Sequence, residues 1–189
     1  MAPVTPGVIQ NATKNRLLLP LRVQACEILC FLLYFTQMKD LKIYLDNCCY
    51  NRPYDDQRQM RIFLETQAKL YIQQLILEKK LKLVCSYVLR YENSENPDIS
   101  NKDSIAQFFL NASDYIGNEH REEIYLKAGE LMQQGLKMKD AAHLACAIKA
   151  KCEYLITTDD KLIKKYTGKM IKLRTPLTFL DELEDRKDA

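Results

Sequence analysis

From Leu41 onward, short apolar runs alternate with stretches of helical spacing, and this alternation restricts the fold more than any other feature of the chain. Leu41 to Leu45 reads as a buried strand, "LKLVCS" (81–86) as a second, "EYLITT" (153–158) as a third and "KMIKL" (169–173) as a last one, with "SDYIG" (113–117) as a short edge strand. Between the first two, Asp56 to Lys80 carries Ile62, Leu64, Ala68, Tyr71, Ile72, Leu75 and Ile76 at helical spacing with charges between them. Further helices are expected from Tyr87 to Tyr91 onward, over 103–112, from Glu119 to Gln134, from Lys139 to Lys151, over 159–166 and over 177–185. Pro97 closes the segment begun at Tyr87, and Gly135 stands where a helix C-cap is usual. Strands alternating with helices of this length predict an α/β fold with a central parallel sheet.

The bulk numbers permit one domain with an appendage. The chain has 189 residues, 47% hydrophobic and 28% charged, which is ordinary for a globular protein with a real core. A net charge of +3 allows a nucleic-acid partner without arguing for one. The seven cysteines include no CxxC pair, and neither His120 nor His143 has a zinc-ligand partner at the usual spacing. Several thiols sit in apolar company, so a reducing, cytoplasmic compartment is expected. The clean apolar run Ile28 to Phe35 is far shorter than the roughly 20 residues that span a bilayer, so no membrane partner is expected. Met38 begins a charged lead-in to the first strand. Residues 1–37 therefore read as an N-terminal extension to a functional domain over 38–189, against an extra packing helix or a membrane-proximal anchor.

In a parallel α/β sheet, functional groups gather beyond the carboxyl ends of the strands. Asp46 follows the first strand directly, and Asp159 and Asp160 follow "YLITT" just as directly. Glu92 lies shortly after the second strand, and Asp140 opens the alanine-rich helix. Each acid has a structural reading of its own. Asp140, Asp159 and Asp160 suit helix N-caps, Asp46 a turn, and Glu92 a surface pair with Arg90 or a lysine. As a set they are hard oxygen ligands of the kind that holds Mg²⁺ or Mn²⁺ for phosphodiester hydrolysis.

The segments "IYLDNCCYNRP", "LVCSYVLRYEN", "GLKMKDAAHLACAIKAKCEYLITTDDKLIK" and "IKLRTPLTFL" resemble a PIN-domain protein of the VapC-like toxin ribonuclease type. The resemblance covers about Lys39 to Leu183, and the third segment carries most of it. It implies a three-layer α/β/α fold and a metal-dependent endoribonuclease, with Mg²⁺ or Mn²⁺ as cofactor. RNA as substrate, a cognate antitoxin and a homodimer follow as partners. Carried over by position, Asp46, Glu92, Asp140 and Asp159 match the family's catalytic and metal-holding acids. Thr157, Asn47, His143 and Asp160 are expected to support them. Many members have Asp-x-Asn or Asp-x-Ser after the first strand, whereas here Cys48 stands at the second position and Asn47 has moved next to Asp46. Asn47, Asn51 or Thr157 are the candidates to take over that polar support.

Other chemistries fit less well. No cysteine-protease signature surrounds Cys48 or Cys49, which read as packing. His143 lies one helical turn after Asp140 and reads as a buried residue orienting it rather than as a metal ligand. An aspartyl-phosphate phosphatase needs a second Asp where Cys48 stands. Lys161, Lys164, Lys165, Lys169, Lys172 and Arg174 form a basic stretch suited to phosphates or to a solvated face. The alternative function is a PIN-like module that binds RNA or protein without cutting.

Overall fold

The computed structural model describes residues 41–186, so the extension expected at 1–37 lies outside the described residues. In chain order the elements are β1 (Lys42–Leu45), α1 (Asn47–Asn51), α2 (Met60–Leu77), β2 (Lys82–Ser86), α3 (Tyr87–Ser94), α4 (Ile99–Phe109) and β3 (Asp114–Ile116). There follow α5 (Arg121–Gln133), α6 (Met138–Lys149), β4 (Tyr154–Ile156), α7 (Asp160–Lys165), β5 (Lys172–Arg174) and α8 (Pro176–Asp185). No helix among the described residues is long and apolar enough to cross a membrane.

The strands form one sheet in the order β3-β2-β1-β4-β5, and every neighbouring pair is parallel. The chain moves from β1 through β2 to the β3 edge, then returns across the sheet to β4. Parallel crossovers are right-handed, so connections running in opposite directions place their helices on opposite faces. Helix α2 packs against α8, and α5 packs against α6, giving a three-layer α/β/α architecture. Covered on both faces, Ile43, Tyr44, Leu45, Leu83, Val84, Leu155 and Ile156 are all fully buried, which is why these strands lack polar alternation. Ala141, Ala145 and Ala147 are buried along α6, where short side chains allow the close packing that its composition predicts.

Helix ends explain most of the boundaries that differ from expectation. Helix α2 starts at Met60 rather than Asp56, because the Asp56 carboxylate accepts from the Arg58 backbone and guanidinium and closes a turn there. Helix α4 starts at Ile99, where Asp98 caps the Asn101 amide at 2.9 Å. Helix α5 ends as Gly135 suggests, with Gly135 at φ 92° and its N–H bonded to Met132 O at 2.8 Å. Lys79 and Lys151 adopt the same left-handed conformation after α2 and α6, at φ 58° and 56°. Each again donates to the carbonyl three residues back. A lysine in that role carries no glycine signal, and the sequence reading runs both helices past their true ends.

Candidate active site

The strand order reverses between β1 and β4, and open parallel sheets offer their binding crevice at the carboxyl end of such a switch point. Asp46 leaves β1 there. Its backbone N–H extends the ladder to Ile156 O at 2.9 Å, and its side chain caps the short α1 that sequence reasoning missed. Asp46 Oδ1 accepts from Asn47 N at 2.8 Å, while Oδ2 accepts from Thr157 Oγ1 at 2.8 Å and from Cys48 Sγ at 3.2 Å. With both oxygens held, this buried carboxylate has little freedom to turn.

Cys48 packs against the core as expected, and its thiol also reaches Asp46. Its thiol also receives the Thr158 backbone N–H at 3.3 Å and lies 3.2 Å from Thr157 Oγ1. A single turn of α1 folds it back over Asp46, so the thiol supplies the donor that an Asn or Ser would supply at this position. Cys49 behaves as expected, fully buried with Sγ 3.3 Å from Ile156 O and its thiol pushed well up by burial. Asn47 contributes only its backbone N–H, since its side-chain oxygen is buried without a partner. Asn51 bonds to Asn47 O and Asn96 instead of the acids.

Glu92 enters from α3, which Ser86 starts immediately after β2 by capping Leu89 N at 3.2 Å. Glu92 Oε2 lies 2.7 Å from His143 Nε2 and Oε1 lies 3.2 Å from Lys139 Nζ. The hydrogen bond from His143 holds the Glu92 carboxyl below its ordinary range, outweighing partial burial. Behind the ring, His143 Nδ1 meets Tyr44 OH at 2.9 Å, and Tyr44 OH meets Ser86 Oγ at 2.7 Å. Burial works against the imidazolium, but the Glu92 bond and the charges of Asp46, Glu92 and Asp140 leave His143 above its ordinary value. The ring thus turns toward Glu92, and toward Asp46 Oδ1 at 3.9 Å, whereas its expected role was to orient Asp140.

The Asp140 side chain makes no hydrogen bond or ion pair with another described residue. Burial, then the charges of Asp46 and Asp159, raise its carboxyl above the ordinary value. These three acids therefore feel one another across a shared space. Asp159 Oδ1 caps α7 through Lys161 N at 2.7 Å and Leu162 N at 3.2 Å, and Asp159 N donates to Thr157 Oγ1 at 3.1 Å. Asp160 faces elsewhere, in a two-pronged pair with Arg61 at 2.6 and 2.8 Å. A cleft of about 600 Å³ reaches Asp159 and is lined also by Cys48, Thr158, Asp160, Arg52, Arg61 and Lys161. Of the basic stretch, Lys161 alone borders this cleft, and Arg174 and Lys172 pair with Glu182 on α8.

One ligand atom each from Asp46, Glu92 and His143 fall within 4.8 Å of one another. Two hard carboxylates and an imidazole, with the charge of Asp46 acting on Asp140 nearby, fit a divalent cation by chemistry and by charge. No protein-family model matches the chain, and no curated protein matches it. Among solved structures, the crystal structure of FitAcB from Neisseria gonorrhoeae is similar over 71% of this chain and 98% of that chain, at 15% identity and a TM-score of 0.46.

Proposed function

We propose that this protein is a divalent-metal-dependent endoribonuclease, acting as the toxin of a toxin-antitoxin pair. The observation that carries the reading is the acid group at the switch point, where Asp46, Glu92 and His143 bring ligand atoms within 4.8 Å and Asp140, without a hydrogen bond or ion pair to another described residue, is opposed by Asp46 and Asp159 more than Lys137 and His143 offset it. Asp46, Glu92, Asp140 and Asp159 are the residues to hold Mg²⁺ or Mn²⁺. Such an ion, when bound, supplies an activated water and offsets charge on the phosphoryl oxygens. Within that scheme Thr157 and Cys48 keep Asp46 oriented, and His143 and Lys139 do the same for Glu92. Asp140, with no hydrogen bond from another described residue, and Asp159, engaged only through Oδ1, offer carboxylate oxygens to accept a proton or a metal bond. Arg52, Arg61 and Lys161 offer positive charge to phosphates along the cleft. The antitoxin and a second copy of the chain enter as partners through the sequence resemblance.

The engagement of both Glu92 oxygens by Lys139 and His143 favours a second reading, a PIN-like module that binds RNA or protein without cutting it. The test is cleavage of a structured RNA pool by the full chain with Mn²⁺ or Mg²⁺, with chelator, and with Asp46→Asn. Metal-dependent cutting that the variant loses supports the nuclease. Absence of both cutting and divalent-ion binding leaves the binding module.

A further inference from the structure

The imidazole of His143 is 2% exposed, yet its outer nitrogen faces into the acid cluster. Nε2 stands 2.7 Å from Glu92 Oε2 and 3.9 Å from Asp46 Oδ1, with the ligand atoms of all three residues inside 4.8 Å. Ligands about 2.1 Å from a common metal lie roughly 3.0 to 3.4 Å apart when adjacent and roughly 4.2 Å apart when opposite. The observed separations bracket those values, so a shift of a few tenths of an ångström at Glu92 admits an ion bonded to all three. The rear of the ring is arranged to match. Nδ1 meets Tyr44 OH at 2.9 Å, which meets Ser86 Oγ at 2.7 Å in turn, so the inner ring nitrogen is anchored whichever of these groups donates. With Nδ1 held from behind, loss of the Nε2 proton shared with Glu92 leaves the Nε2 lone pair aimed at the carboxylates, with the outer-shell hydrogen bond of a metal-ligating histidine. Any proton shared by Nε2 and Oε2 would leave to solvent as the metal takes its place.

We propose that His143 is itself a metal ligand here, and that the site therefore selects a transition metal of the Mn²⁺ to Zn²⁺ series over Mg²⁺. Imidazole suits such ions, whereas Mg²⁺ is served by carboxylate, carbonyl and water oxygens. Asp46 contributes Oδ1, which lies 3.9 Å from Nε2 and accepts only the Asn47 N–H, whereas Oδ2 accepts from both Thr157 and Cys48. The inference rests on the reading that the acid cluster holds a nuclease metal, and it specifies which metal and through which atom.

The experiment uses the full chain stripped with chelator and then titrated with Co²⁺, following its visible absorption, with Zn²⁺, Mn²⁺ and Mg²⁺ as competitors. In parallel, ¹⁵N-histidine-labelled wild-type protein is titrated with Zn²⁺ and the ring nitrogens are followed by NMR. Zn²⁺ should displace Co²⁺ most strongly, Mn²⁺ less so, and millimolar Mg²⁺ hardly at all. The Nε2 resonance of His143 should move on Zn²⁺ binding while that of His120 stays. His143→Gln should weaken Zn²⁺ binding by at least about 100-fold and Mg²⁺ binding far less. The wild-type spectra decide the matter even where the buried substitution disturbs folding. An unmoved His143 resonance at saturating Zn²⁺, or Mg²⁺ competing on equal terms, overturns the proposal. RNA cleavage lost in Asp46→Asn alongside equal Mg²⁺ competition would overturn it and keep the nuclease. Zn²⁺ held through His143 with no RNA cut would keep it and remove the nuclease.

Discussion

Two groups of charged side chains, which meet at the cleft lined by Arg52, Arg61, Asp159 and Asp160, are balanced in opposite ways. Around Glu65 each acid meets a guanidinium. Arg61 pairs with Glu65 at 2.8 Å and with Asp160 at 2.6 Å, and Arg52 pairs with Asp55 and Glu65, both at 2.9 Å. The Arg52 contact to Glu65 lies outside hydrogen-bond geometry and acts through charge alone. Around Asp140 the acids face one another; Lys139 and His143 both bond to Glu92, and Lys137 offsets the Asp140 charge only in part. Asp159 and Asp160 are adjacent in sequence and fall on opposite sides of this division. A carboxylate matched to a guanidinium braces the fold. Carboxylates left facing one another lower stability and become useful once a cation arrives.

Breaking each group in turn should therefore give different kinds of loss. The largest expected effect is on activity. Asp46→Asn should lower metal-dependent RNA cleavage by about 1,000-fold or more, about 4 kcal/mol of transition-state stabilisation. Asp160→Asn should lower it by less than about 10-fold, and initial-rate assays on the two variants side by side test the contrast. The next effect is on stability. Glu65 is 2% exposed, so Glu65→Gln leaves Arg52 and Arg61 without their shared carboxylate and should cost about 2–3 kcal/mol in urea unfolding. Exposure of Arg61 to solvent keeps this at the lower end for a buried pair. Metal affinity per folded molecule should be unchanged in that variant, and a matching loss of metal binding would merge the two groups into one.

The parts legible in the sequence are those set locally. Apolar runs meeting acids at Asp46 and Asp159 mark strand ends, and the alternation of elements implies a parallel sheet. Glu92 and Asp140 lie on helices, where spacing says little about convergence, and the motif resemblance singles them out. What the sequence conceals is long-range. The contact of His143 with Tyr44 spans 99 residues and exists because β2, β1 and β4 are neighbours in a strand order that spacing does not reveal. Tyr44 between Ile43 and Leu45 and Ser86 before a helix are the local hints. Cys48 reads as packing because thiols usually are, and the five-residue α1 that returns it to Asp46 is too short to show periodicity.

The smaller predictions concern pH, measured by unfolding in chelator. His143 lies above its ordinary value of 6.5, so its contribution is complete below that pH and fades as pH rises through the folded value. Glu92 lies below its ordinary 4.5, so its contribution is complete above that pH and fades as pH falls through the folded value. The pair should therefore add most between these limits, by about 1–2 kcal/mol for a charge-assisted bond, and His143→Gln should flatten both flanks.

Asp140 gives the smallest effect and the sharpest sign. Its carboxyl is raised above 3.8, so the folded state prefers the protonated form, and that preference is lost as pH rises through the folded value. At pH 7 the ionised group is a net cost. Asp140→Asn should thus stabilise the chelated protein at neutral pH by a few tenths of a kcal/mol, reduced by its partial exposure, and should lose that gain below its ordinary value. Asp160 is lowered by its bond to Arg61, so Asp160→Asn should change stability at pH 7 in the opposite direction. A saturating divalent cation should cancel the Asp140 gain, because the charge that repels Asp46 and Asp159 is then the charge that holds the ion. Loss of stability in Asp140→Asn at pH 7 with chelator present would mean that the acids do not oppose one another, and the contrast between the two charge groups would fail with it.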